Sequence, residues 1–368
     1  MIRNIYRLMM AAWLLTACSG NEDLPVVSEQ AAVPIGFSAL MSVADDDDWP
    51  VTRADGEITE GTTSYEFGVF ASYTGLHRYS ESNVSSDFMY NDRIYKSGTK
   101  WTYTPLRFWP NGEGEATASG AELPHYVSFF AYAPYSYSGT AQADAASRAA
   151  DYCIESFHHA SEHTNPWLVY RLHTNVANQV DLLYAQKLDE TKKEHPLNTP
   201  VGFSFKHALA CVGDEVTILL SDAVKNAINR SGNAALKLTD VEITYSLTEK
   251  ARLILWAASN TANWQPVLSE NFLTKRTVSL LKNANRQIYS SNGTLADNVI
   301  TGKGVFFIPL QVGGERQSAD IYVKYAVVQG SATIGTVEGE STLYLDEIAD
   351  AYEPGKKVKI KITLDNYR

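Results

Sequence analysis

Apolar and polar residues alternate with a period of two at many places along the chain, the pattern of strands that bury one face. In the earliest case Ile35, Phe37, Ala39, Met41 and Val43 share one face, with Gly36, Ser38 and Ser42 among the residues between them. The stretch 66–73 alternates in the same way, and Val127–Ala133 is a short apolar run closed by Pro134. Further strands are predicted over 181–185, 201–206, 212–220, 236–247, 305–310, 319–328 and 341–345. The last lies near the end of the chain, where Val358, Ile360, Ile362 and Leu364 share a face after a turn at Gly355. Only two short helical pieces are expected, over the Ala-rich residues 138–152 and over 222–229. Short strands separated by Gly, Pro and Asn turns predict an all-β chain built of sandwiches. The polar stretch 186–199, with Pro196 inside it and Pro200 just after, is the expected linker between two domains.

Composition agrees with sheets. The 368 residues are 45% hydrophobic but only 20% charged, with 21 Tyr and 13 Phe, which favours half-buried sheet surfaces over long charged helices. The formal net charge is −11. No Lys/Arg cluster stands out, so nucleic-acid binding by phosphate neutralisation is not expected. Of the cysteines, Cys18 lies in the leader, and Cys153 and Cys211 either pair or remain two reduced core residues.

The start of the chain has the form of a targeting segment. Arg3 and Arg7 precede a short apolar core, Leu8 to Leu15, which falls below the ~20 residues of a membrane span. Leu15-Thr16-Ala17-Cys18 has the small residues before a cysteine that lipoprotein processing requires, so Cys18 is the expected lipidated first residue of the mature chain. The acidic Ser19–Asp23 stretch after it is similar to the surface-export signal of Bacteroides-like lipoproteins. Beyond the first alternating strand, Asp45–Asp48 is a run of like charge that does not fold on itself. Arg53, followed by Ala54, is the only Lys or Arg between residues 8 and 77.

Several of these segments, taken in order, resemble the fimbrillin (Mfa-like) family of pilus subunits and adhesins of Bacteroidia. They are the lipobox Leu15–Cys18, Ile35-Gly36-Phe37, Thr52-Arg53-Ala54-Asp55, Phe67–Ala71, Arg107-Phe108-Trp109-Pro110, Val127–Pro134, Asp181–Ala185 and Phe203–Ala210. The resemblance implies two transthyretin-like β-sandwich domains in tandem. Residues 1–18 would be a lipoprotein signal peptide, 19–53 a propeptide holding a removable first strand, 54–198 one sandwich and 199–368 the other. It also implies a precursor tethered to the outer membrane by lipid, cleavage after Arg53 by an Arg-specific surface protease, and strand exchange with other pilus subunits at the cell surface. A host or bacterial surface receptor is a further implied partner. The family's stalk subunits carry an extra C-terminal donor strand. None is evident beyond Leu364, so a tip or accessory place is expected.

No catalytic constellation stands out, and no enzyme activity, metal or cofactor is expected. His158, His159 and His163, flanked by Glu155 and Glu162, have partial metal-ligand spacing but lack the Glu of an H-E-x-x-H helix and are read as a surface loop. His207 is read as a hydrogen-bonded structural residue. Trp101, Trp109, Trp167, Trp256 and Trp264 are read as core or interface residues. Their ring faces also suit sugars, which leaves a second function open: a carbohydrate-binding surface lipoprotein that never polymerises.

Overall fold

The computed structural model describes residues 32–41, 66–83, 85–110, 123–136, 154–159, 161–196, 199–258, 261–267, 273–291, 293, 295–311, 314–348 and 351–365. Among them the strands run β1 (Phe37–Met41), β2 (Phe67–Gly75), β3 (Met89–Ser97), β4 (Lys100–Thr102), β5 (Tyr126–Ala133), β6 (Ile154–Phe157), β7 (Trp167–Arg171), β8 (Leu183–Glu190), β9 (Val201–His207) and β10 (Ala210–Leu220). The helix α1 (Asp222–Arg230) follows. Then come β11 (Ala234–Leu247), β12 (Lys250–Ile254), β13 (Asn263–Gln265), β14 (Thr274–Leu281), β15 (Arg286–Ser290), β16 (Val299–Thr301), β17 (Val305–Phe307), β18 (Ser318–Gln329), β19 (Ala332–Tyr344) and β20 (Lys357–Leu364). The all-β expectation holds, with α1 the single α-helix among the described residues.

A seven-stranded sheet in the order β1-β9-β8-β5-β2-β3-β4 organises the first part of the molecule. Both of its faces are covered, which explains why β5 reads as a continuous apolar run. Phe129 and Ala131 point into one core with Phe67, Val69, Phe203 and Phe205. Phe130 and Tyr132 point into the opposite core with Phe70, Leu168, Tyr170 and Leu253. That second core is closed by a four-stranded sheet, β13-β12-β7-β6. Side chains close over Gly68: a methyl group there would meet the Tyr132 ring and Asn91 Oδ1.

The later part of the chain is a two-sheet sandwich. β10 is flanked by β16 and β17 on one edge and by β20 on the other, and this sheet faces one in which β11 pairs with β14, β15 and β18, with β19 outside β18. Their inward residues, including Val216, Ile218, Leu236, Ile243, Tyr325 and Val358, form the largest core. α1 is capped by Ser221, whose Oγ accepts from Val224 N at 3.3 Å, and it buries Val224 and Ile228 on that core.

The expected linker and boundary need revision. Residues 186–190 are the second half of β8 rather than linker, and β9 belongs to the seven-stranded sheet, pairing with β8 and β1. The chain later returns: β12 pairs with β7, so residues 250–265 complete the first set of sheets. Burying both faces of the seven-stranded sheet takes more chain than its own N-terminal stretch supplies. The strand predicted over 341–345 is the end of the longer β19. The helix expected over 138–152 lies outside the described residues.

Candidate functional site

The first strand occupies a groove. β1 pairs with β9 in parallel, from Phe37 opposite Val201 to Met41 opposite Phe205. Among the described residues β1 is the terminal strand of its sheet, with β9 as its neighbour in the ladder. Just before β1, the chain is gripped on both sides. Ile35 N donates to Arg107 O and Trp109 N donates to Val33 O, each at 2.9 Å, while Val201 N donates to Gly36 O at 2.8 Å. The Arg107-Phe108-Trp109 motif therefore forms the second wall of the groove.

The groove floor is aromatic. Ile35 and Phe37 are buried, and Phe37 has its ring centroid 5.4 Å from Tyr103, 5.6 Å from Phe129 and 5.7 Å from Phe203, stacked on the last. Ala39 packs at the margin of the same core. Tyr103 Oη donates to Ile35 O at 3.0 Å and accepts from Arg107 N at 3.1 Å. Burial pushes the Tyr103 phenol up to about 12, so it remains a donor throughout the physiological range. Beside it, burial raises the Asp92 carboxyl against the lowering effect of Arg107, 3.6 Å away.

Of the residues singled out in sequence, Ile35, Phe37, Ala39 and the backbone of Met41 lie in this groove. Val43, Cys18, Arg53 and Ala54 lie outside the described residues. At the other end, β20 pairs in parallel with β10, with Val358 opposite Val212, Ile360 opposite Val216, Ile362 opposite Ile218 and Leu364 opposite Leu220. Val358, Ile360 and Leu364 are buried and Ile362 packs partly on the same core. The ladder bulges between Val212 and Val216, where Gly213 has φ +77° and a side chain would meet Tyr245 Oη.

The histidine stretch divides. His159 and His163 are exposed as expected of a surface loop, but His158 is fully buried. Its Nε2 donates to Glu162 O at 3.1 Å. His207 is a buried structural residue whose Nδ1 bonds to Asp181 Oδ2. Among the tryptophans, Trp109 stacks on His195 at 4.9 Å, Trp101 meets Phe67 edge-on, Trp167 carries Arg252 over its ring at 4.4 Å, and Trp264 Nε1 donates to Ala208 O at 2.7 Å. Trp256 is half-buried at the rim of a cleft. Cys211 is a free, buried thiol, which burial pushes up.

Sequence reasoning missed the second wall of the groove. Its signal was the Arg107–Pro110 segment, an aromatic pair with no alternation of its own. It also missed the partner of β1, since nothing local in Val201–Phe205 names Ile35–Met41 as its neighbour.

No protein-family model matches the chain. Fimbrium subunit Fim1C of Phocaeicola vulgatus is 31% identical over 135 residues, which are 35% of this chain and 30% of that protein. The crystal structure of a fimbrial protein from Bacteroides vulgatus superposes with a TM-score of 0.56 over 90% of this chain and 94% of its own, at 16% identity. The fold is thus that of a Bacteroides fimbrial protein. In sequence, the chain is similar to a fimbrium subunit over about a third of its own length.

Proposed function

We propose that this chain is a subunit of a cell-surface pilus, with a structural or adhesive rather than a catalytic role, and that β1 is a plug exchanged for a partner strand during assembly. The observation that carries the reading is the seat of β1: an edge strand in a groove with an aromatic floor. Arg53, the only Lys or Arg between residues 8 and 77, lies in the sequence between β1 and β2. Removing β1 would uncover the backbone edge of β9 and the Phe129–Phe203 floor, a surface that favours refilling by another strand. The ladder supplies affinity and the pockets for Ile35 and Phe37 supply selectivity.

The fimbrium subunit and the fimbrial protein to which the chain is similar support this role and a place at the cell surface. Delivery as a lipoprotein modified at Cys18, with cleavage after Arg53 by a surface protease, completes the scheme. β20 is engaged in its own sheet, which suits it to a structural rather than a lending role.

The test is limited digestion of the purified chain with an Arg-specific protease. The expected result is one early cut after Arg53, release of the preceding segment, and a core starting at Ala54 whose melting temperature rises when a peptide of residues 33–43 is added. Resistance of Arg53 to digestion, or a core indifferent to the peptide, would remove the strand-exchange reading.

A further inference from the structure

Three loops meet at one end of the first two sheets. Tyr79, Ser80, Ser82 and Asn83 follow β2, His163, Thr164 and Asn165 join β6 to β7, and Trp256 follows β12. They line an open cleft of about 250 Å³. Among the described lining residues there is no Lys, Arg, Asp or Glu. The cleft offers hydroxyls, amides, one imidazole and aromatic rings.

The lining is held in place from beneath. Tyr79 is buried against Phe130 at 5.0 Å, its N donates to Asp189 Oδ1 at 2.7 Å and its Oη donates to Asn165 Oδ1 at 2.8 Å. That last bond fixes the orientation of the Asn165 amide, and hence the direction of its Nδ2. Trp256 packs one side on the core beneath, and its carbonyl accepts from Asn263 Nδ2 at 3.2 Å.

We propose that this cleft binds a neutral saccharide. A sugar ring carries an apolar C–H face and a rim of hydroxyls that both donate and accept, which matches an aromatic surface bordered by Asn, Ser and Thr. A charged ligand would lose water without gaining a counter-charge, and a wholly apolar one would leave the amides unpaired. An extended peptide has no ladder to join, because the lining comes from three loops and not from a strand edge. The volume falls below the ~300–1,000 Å³ of sites for drug-sized ligands, so it takes one ring while the rest of a glycan runs out through the open side.

The inference deepens the adhesive side of the pilus reading and rests on it for its biological setting. The two fail separately: binding does not require cleavage at Arg53, and strand exchange does not require the cleft. The test is binding of the purified full chain to an array of neutral oligosaccharides built from galactose, mannose, fucose and N-acetylhexosamines, together with their sialylated and sulphated counterparts, each presented both on peptide and on lipid. Binding in either presentation supports the proposal, and the better presentation distinguishes a glycoprotein source from a glycolipid source. Asn83→Ala, on an exposed loop, should weaken the best hit about fivefold, the worth of one hydrogen bond, without moving the melting temperature. Trp256→Ala should weaken it about tenfold or more, with Trp256→Phe restoring part of the loss. Binding confined to sialylated or sulphated glycans, binding to none, or binding unchanged in both Asn83→Ala and Trp256→Ala would overturn the assignment.

Discussion

His158 occupies a site built for a neutral ring. Its Nε2 donates to Glu162 O, and its Nδ1 is buried with no hydrogen-bond partner. A second proton would place an unpaired N–H and a charge in that apolar surrounding, and burial accordingly holds its pKa below the ordinary histidine value. The unfolded chain therefore takes up the proton first as pH falls below about 6.5, so the stabilisation present above that pH is lost progressively toward the lower folded value. Denaturant titrations at pH 7.5 and pH 5 should show a loss of stability on acidification that is smaller in His158→Gln. Equal pH dependence in the two proteins would show that His158 is not the group responsible. Gly68 illustrates a different constraint. Tyr132 lies over it and donates to Asn91 Oδ1 at 2.6 Å, so the ring is not free to move aside for a larger residue.

At the scale of the element, β1 is a short strand held more by side chains than by length. Ile35 and Phe37 are buried at this edge, and burial of each stabilises by about 1.5–3 kcal/mol. Phe37→Ala leaves a void among Tyr103, Phe129 and Phe203 and should cost about 3 kcal/mol in urea denaturation of the full chain, near the low end for buried aromatic truncations because the site is at an edge. The same substitution in a peptide of residues 33–43 should abolish its rescue of the Arg53-cleaved core. A cost below about 1 kcal/mol would mean that the groove does not depend on this anchor. β20 has the same parallel edge placement beside β10, but its fixed apolar face joins the largest core.

Across the whole of Val33–Arg368, the two sets of sheets are tied by shared chain and shared core. β9 and β10 are separated only by Ala208 and Leu209, yet lie in different sheets, and β12 returns from the second set to pair with β7. Buried bonds reinforce the joint: Gln179 Oε1 accepts from Phe306 N at 2.9 Å, Trp264 Nε1 donates to Ala208 O, and His207 pairs with Asp181. Cys211, Phe306 and Ile308 of the later part belong to the core closed by β7 and β12. Thermal unfolding should therefore be a single cooperative transition, with calorimetric and van't Hoff enthalpies in agreement and Cys211 becoming reactive toward thiol reagents in the same step. Two separated transitions, or labelling of Cys211 before the main one, would show that the sheets unfold independently.

The period-two faces of Ile35–Ala39, Val201–Phe205 and Val358–Leu364, the short apolar run of β5 and the short helical piece over 222–229 were legible in the sequence, because such patterns depend only on neighbours along the chain. So was Arg53, as an isolated basic residue between two strands. Pairing was not legible: Phe37 finds Val201 and Ala251 finds Tyr170 through contacts between distant segments, and periodicity specifies which face is buried without naming the neighbour that buries it. The groove wall at Arg107–Trp109 and the cleft shared by Tyr79, Asn165 and Trp256 arise only when the tertiary fold brings separate loops to one place. Local chemistry thus set the strands, and long-range packing decided which of the described strands lies at a sheet edge and which loops share a cleft.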